Sequence, residues 1–127
     1  MLVAFSVAPS GRPSDATLRE GQPRDDQTPD GQNRVHQNRD DASVHDAVAA
    51  AVSVVRASGL PHRTDSMFTT IEGEWDECMA VVKQCVDAVQ PFGSRVALVL
   101  KADIRPGYTG ELTGKLERLE QAIADRG

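Results

Sequence analysis

The apolar positions fall into short runs whose spacing names the elements. Leu2-Val3-Ala4-Phe5-Ser6-Val7-Ala8 is a compact apolar run closed by Pro9, which predicts a strand. From Ser43 to Ser58, Val44, Val48, Val52 and Val55 recur at helical spacing. Ser43 stands as N-cap with Asp46 three residues on, and Gly59 and Pro61 stop the helix. Leu60–Thr64 and Met67–Glu72 read as two strands joined by a hairpin around Thr64-Asp65-Ser66. Glu74 to Val89 carries Trp75, Cys78, Met79, Val82, Cys85, Val86 and Val89 on one helical face, with Glu74, Asp76 and Glu77 at its positive end and Pro91 and Gly93 beyond it. Arg95–Ile104 is a strand, and a loop rich in Gly and Pro leads to a final helix bearing Leu112, Leu116, Leu119 and Ile123.

The order β-α-β-β-α-β-α predicts an α+β domain. Its first six elements make a ferredoxin-like antiparallel sheet with both crossover helices on one face, and a C-terminal helix is added. Helices on one face should leave polar residues on the other. Yet Val96, Leu98 and Leu100 point one way in the last strand while Ala97 and Val99 point the other, and the first strand sets Val3, Phe5 and Val7 against Leu2 and Ala4. A strand apolar on both sides is buried on both sides. Either a second copy of the chain or the last helix must cover the open face, and a homodimer or homotetramer is the simpler expectation.

Composition changes this picture in one place. Ser10 to Ala42 spans 33 residues with only four apolar side chains, Ala16, Leu18, Val35 and Ala42, against 12 charged ones. Such a stretch buries too little to offset its ordering entropy, so residues 10–42 are expected to be a disordered, low-complexity insertion in a single domain over 1–127. A net charge of −5 and an aromatic content of 4% argue against nucleic acid as a partner, since phosphate is repelled and stacking platforms are scarce. The longest apolar run, Ala47 to Val55, is far short of the roughly 20 residues that a bilayer requires, so no membrane partner and a cytoplasmic location are expected. Cys78 and Cys85 are two helical turns apart, too far for a disulfide with each other, and read as small core hydrophobes.

The motifs of catalysis are missing. Gly110-Glu111-Leu112-Thr113-Gly114-Lys115 has three residues between its glycines and lacks the following Ser or Thr of a phosphate loop. His36, His45 and His62 have no metal-ligand spacing, and no serine sits in a nucleophile elbow. No catalytic residue, metal site or cofactor is expected. What stands out is a pair of hydroxyls among apolar neighbours, Ser6 on the first strand and Thr69 on the third, with Met67 beside Thr69. Each could satisfy itself against the main chain, or each could orient a small ligand in an apolar pocket. Glu72 and Asp103 at strand ends would supply negative charge to a cationic ligand, although Lys101 could neutralise one of them. Trp75 could stack on a ligand ring, but its place on the helical stripe points to the core.

Met1–Pro9, Val55–Leu60, Met67–Asp76 and Leu100–Arg105 together resemble the thiamine-binding protein family that includes the YkoF-like domains, and Thr69-Thr70-Ile71-Glu72-Gly73-Glu74 is the most specific stretch. The resemblance implies a ferredoxin-like fold, assembly into dimers and tetramers, and non-catalytic binding of thiamine or its hydroxymethylpyrimidine precursor. By the motif it implicates Thr69 and Glu72, with Met67 lining the site and Ser6 following. Two other readings stay open: a regulatory or assembly module acting through the sheet face, and an enzyme using Asp103 or Glu72 as a base.

Overall fold

A computed structural model of the chain describes residues 1–13 and 44–127. Most of the expected insertion, with His36 and the Ser43 cap, lies outside the described residues. Strand β1 (Leu2–Ser10) is followed by helix α1, described over 44–57, by strands β2 (His62–Thr64) and β3 (Thr69–Glu72), helix α2 (Trp75–Val89), a 3-10 turn (Gln90–Phe92), strand β4 (Arg95–Asp103) and helix α3 (Glu111–Arg126). The strands form one antiparallel sheet in the order β2-β3-β1-β4, as the ferredoxin-like arrangement requires.

Strand β1 is central because it is apolar on both faces. It pairs with β4 along its whole length, from Leu2↔Asp103 to Ser10↔Arg95, but with β3 only from Leu2↔Glu72 to Phe5↔Thr69. Met1 extends the second ladder, its amine donating to Gly73 O at 2.8 Å while its carbonyl accepts from Gly73 N at 3.1 Å. Pro9 does not end β1: it pairs with Val96 inside the strand. Main-chain groups along an antiparallel strand point alternately to its two neighbours. Met1 aims at β3, so Pro9, eight residues on, aims the same way, where β3 is absent and no ladder N–H is needed.

Val3, Phe5 and Ile71 on the helix face of the sheet meet Ala47, Ala51 and Val55 of α1 and Cys78, Val82, Cys85 and Val89 of α2. The helix stripe differs from the expected valines. Val44 and Val48 are exposed, and the small residues Ala47 and Ala51 face inward instead. Small side chains let α1 approach α2 closely enough for Cys85 Sγ to donate to Ala51 O at 3.4 Å. Trp75 is also outside the core, 54% exposed in the first turn of α2, before that helix passes over the sheet. Helix α2 begins where Glu77 Oε1 accepts from the amide of its N-cap residue Glu74 at 3.2 Å. Gly93 is required by a close approach: a Cβ there would lie 2.5 Å from Ser10 O and 2.8 Å from Ser10 N. Both hairpin strands are shorter than expected, and the turn between them is closed by Asp65 N donating to Phe68 O at 2.9 Å.

By the same alternation, Leu2, Ala4, Ser6 and Ala8 of β1 and Ala97, Val99 and Lys101 of β4 share the outer face. Val99 there is 56% exposed. Helix α3 touches one corner of the molecule. Glu111 is its only buried residue, and Leu116, Leu119 and Ile123 are about half exposed. Among the described residues no helix is long and apolar enough to cross a membrane.

Candidate functional site

The five candidate residues separate into two groups at opposite ends of the β1–β3 ladder. Thr69, Met67 and Ser6 border a cleft of about 110 Å³ beside the unpaired half of β1, where Phe5, Val7, Val48, Val52 and Phe68 supply apolar walls. The hairpin turn makes this gap. β3 starts at Thr69 and the chain before it folds back into β2, so the strip next to Val7 is vacated. Val48 and Val52, displaced from the core by the alanines of α1, face the gap.

Thr69 sits at the rim with its Oγ1 3.3 Å from Thr64 Oγ1, its cross-strand partner. Its hydroxyl is therefore tied to a second hydroxyl that is itself exposed, and the pair keeps further hydrogen-bonding capacity for a guest. Met67 is 77% exposed on the turn and lies over the opening. Ser6 contributes to the wall, but the alternation that buries Phe5 places the Ser6 side chain on the opposite face from Thr69. The two hydroxyls do not converge from one side of the sheet.

Glu72 and Asp103 are not in this cleft. Both pair with Leu2, at the other end of β1. Glu72 is buried, and its carboxylate accepts from Glu111 N at 2.8 Å and from Leu112 N at 3.4 Å. It caps helix α3, whose N-terminal residue Gly110 has no side chain to do so. Asp103 accepts from Lys115 Nζ, and this bond, with the lysine's charge, holds the Asp103 carboxyl below the usual range. Lys115, and not the nearer-in-sequence Lys101, is the neutralising partner. Glu111 pairs with Arg118 at 2.6 Å. The acidic residues singled out in the sequence thus fasten α3. Their roles were hidden because the partners are main-chain amides and a lysine on a helix 39 and 12 residues away.

A second hollow, about 290 Å³, lies over this end between Met1, Leu60 and Tyr108, edged by Glu72, Glu74 and Glu77. Its glutamates are committed to the capping of α2 and α3, and Tyr108 lies under the Arg105 guanidinium, 3.6 Å from the ring centre. The cleft beside β1 is the better site: it combines apolar walls with polar atoms free to act outward. Val7, Phe68, Val48 and Val52 were missed by sequence reasoning. The signal that could have found the gap is Pro9, a residue tolerated in a central strand only where one edge is open.

Both cysteines are free and buried, and burial pushes each thiol up, Cys85 to about 11. Among the described residues no group of side chains could hold a metal ion.

The profile of the family described as thiamine-binding protein matches residues 35–120. A UPF0045 protein of Mycobacterium bovis is 49% identical over 81 residues, covering 63% of this chain and 79% of that one. A UPF0045 protein of Synechocystis is 44% identical over 79 residues, 61% of this chain and 65% of its own. Among solved structures, a domain of unknown function, DUF77, from Bacillus cereus superposes with a TM-score of 0.57 at 25% identity, covering 87% of this chain and 83% of that one. A Thermotoga maritima protein proposed for thiamine biosynthesis or salvage superposes with a TM-score of 0.57 at 21% identity over 91% of this chain and 96% of its own, and shows the same fold. With more than half its length under one family profile, the chain belongs to the thiamine-binding protein family.

Proposed function

We propose that this chain is a non-catalytic binding protein for thiamine or for its hydroxymethylpyrimidine half, and that the ligand enters the cleft beside β1. The observation that carries the reading is the family match over 35–120. The cleft agrees with it chemically. A planar heteroaromatic ring needs apolar faces above and below, which Val48, Val52, Met67 and Phe68 offer, and a few polar atoms at its rim, which Thr64 and Thr69 offer. A cytoplasmic homodimer or homotetramer, with the outer sheet face covered by a second copy, belongs to the same reading.

Calorimetric titration with thiamine and with hydroxymethylpyrimidine tests it. Saturable binding is expected, weakened about 3- to 10-fold in Thr69→Val, the loss of one neutral hydrogen bond. Absence of heat with both compounds overturns the reading, and turnover of either would make the protein an enzyme. A second reading, a module that acts through the sheet face without a small ligand, is favoured by the exposure of Val99 on the outer face of β4. A chain that self-associates through that face and takes up neither compound would establish it.

A further inference from the structure

Among the described residues, the ladder that defines the fold leaves one residue of β1 with no strand partner for its main chain on the β3 side. Met1 exchanges both of its main-chain bonds with Gly73, so the odd-numbered residues of β1 present their N–H and C=O toward β3. Val3 and Phe5 meet Ile71 and Thr69 there. Val7 is next in the series, and β3 does not reach it. Pro9, after it, has no N–H. Val7 is therefore the residue in the unpaired half of β1 that offers both a donor and an acceptor on this edge, and it lines the cleft.

We infer that the main-chain N–H and C=O of Val7 are the recognition groups of the cleft, and that they select a ring edge carrying an amino donor beside an unprotonated ring nitrogen. The inference rests on the proposed binding function and names which half of the ligand the cleft takes. In an extended strand the N–H and C=O of one residue point the same way, side by side. A 4-aminopyrimidine edge is their complement: its amine donates to the Val7 carbonyl while its ring nitrogen accepts from the Val7 amide. A thiazolium ring has no N–H and no free ring nitrogen and satisfies neither group. Size argues the same way. At about 110 Å³ the cleft is below the roughly 300 Å³ at which sites for drug-sized ligands begin, so it accommodates one ring and leaves the second outside. Val48, Val52, Met67 and Phe68, which line the cleft, would supply the apolar contacts to that ring. The recognition is main-chain, so no side-chain motif in the sequence encodes it.

The experiment uses the full chain. Calorimetry compares 4-amino-5-hydroxymethyl-2-methylpyrimidine, its 4-dimethylamino analogue, the thiazolium alcohol half of thiamine, and thiamine itself. Val7→Pro removes the amide without removing a bond to β4, because that amide faces the other way, and Val7→Ala keeps the amide while trimming the side chain. The aminopyrimidine should bind the wild type and Val7→Ala within about threefold of each other, and Val7→Pro and the dimethylamino analogue should each bind about tenfold or more weaker, one charge-neutral bond or somewhat more. The Val7 amide proton should move downfield in the 15N–1H spectrum at saturation, a readout that stands if Val7→Pro does not fold. Equal affinity for the dimethylamino analogue, an unmoved Val7 amide, or a folded Val7→Pro that binds like the wild type overturns the inference. If thiamine binds through its thiazolium half alone, the binding function survives and the inference falls. If none of the compounds binds, both fall.

Discussion

Cys85 sits where α1 and α2 touch, fully enclosed, with its thiol donating to Ala51 O. A thiolate there would lose its hydration and gain no cation, which is why burial raises the group from 9.0 to about 11. The consequence for stability has a definite sign. Between those two values the unfolded chain has released a proton that the folded chain still holds, so stability falls as pH rises. The contribution is fully present below 9.0 and is lost as pH climbs through about 11. Urea midpoints measured from pH 7 to 10.5 should therefore drop more steeply for the wild type than for Cys85→Ala, the comparison that removes the lysines and the tyrosine from the difference. Parallel curves for the two proteins would show that the thiol does not titrate differently on folding. Cys78 is pushed the same way, chiefly by its own burial. The sequence reading of both cysteines as core hydrophobes agrees with this burial, because their heptad spacing on an apolar helix stripe is a local signal.

Helix α3 shows what a local signal misses. Its leucines were legible as an amphipathic stripe, and its existence follows from them. Its attachment was not, because it runs through polar groups distant in the sequence: Glu72 to the Glu111 and Leu112 amides, and Asp103 to Lys115. Glu72 looked like a ligand carboxylate since a glutamate at a strand end in an otherwise apolar segment carries no mark of its partner. Trp75 misled in the opposite sense, with helical spacing that promised burial at a position where α2 has not yet reached the sheet. For Thr69 and Met67, parity along a strand read as Met67–Glu72 was enough to set them side by side, although β3 begins only at Thr69 and Met67 lies in the turn before it. If Glu72 is a cap, Glu72→Ala should cost about 1–3 kcal/mol, because a buried amide and a partly buried one lose their acceptor, and Glu72→Gln should recover part of it by restoring a neutral acceptor. Denaturant titrations of the three proteins measure this. A Glu72→Ala protein as stable as the wild type, with weakened thiamine binding instead, would return Glu72 to the ligand site.

At the scale of the whole molecule, β1 divides the labour. Its first half is paired on both sides and holds the core; its second half is paired on one side and opens the cleft. The composition of the run could show that β1 is central but not where β3 stops, since that depends on the turn at 65–68 and on a hydrogen bond across it. Stability should follow the same division. Helix α3 spans about 24 Å, yet Glu111 in its first turn is its one buried residue, and among the described residues Lys115 makes its one ion pair to the rest of the fold, since Arg118 pairs with Glu111 inside the helix. Segments with few buried apolar contacts open at a small fraction of the global free energy. In native-state hydrogen exchange at low protein concentration, amides of residues 119–126 should exchange at least about a hundredfold faster than those of Val3 and Phe5, a gap of about 3 kcal/mol. Repeating the measurement at rising concentration locates any contact between copies. If α3 alone gains protection, its stripe of Leu116, Leu119 and Ile123 lies at that contact; if β4 around Val99 gains it, the outer sheet face does. Protection of α3 equal to that of β1 at every concentration would mean that the helix is held by contacts other than the polar ones at its N-terminal turns.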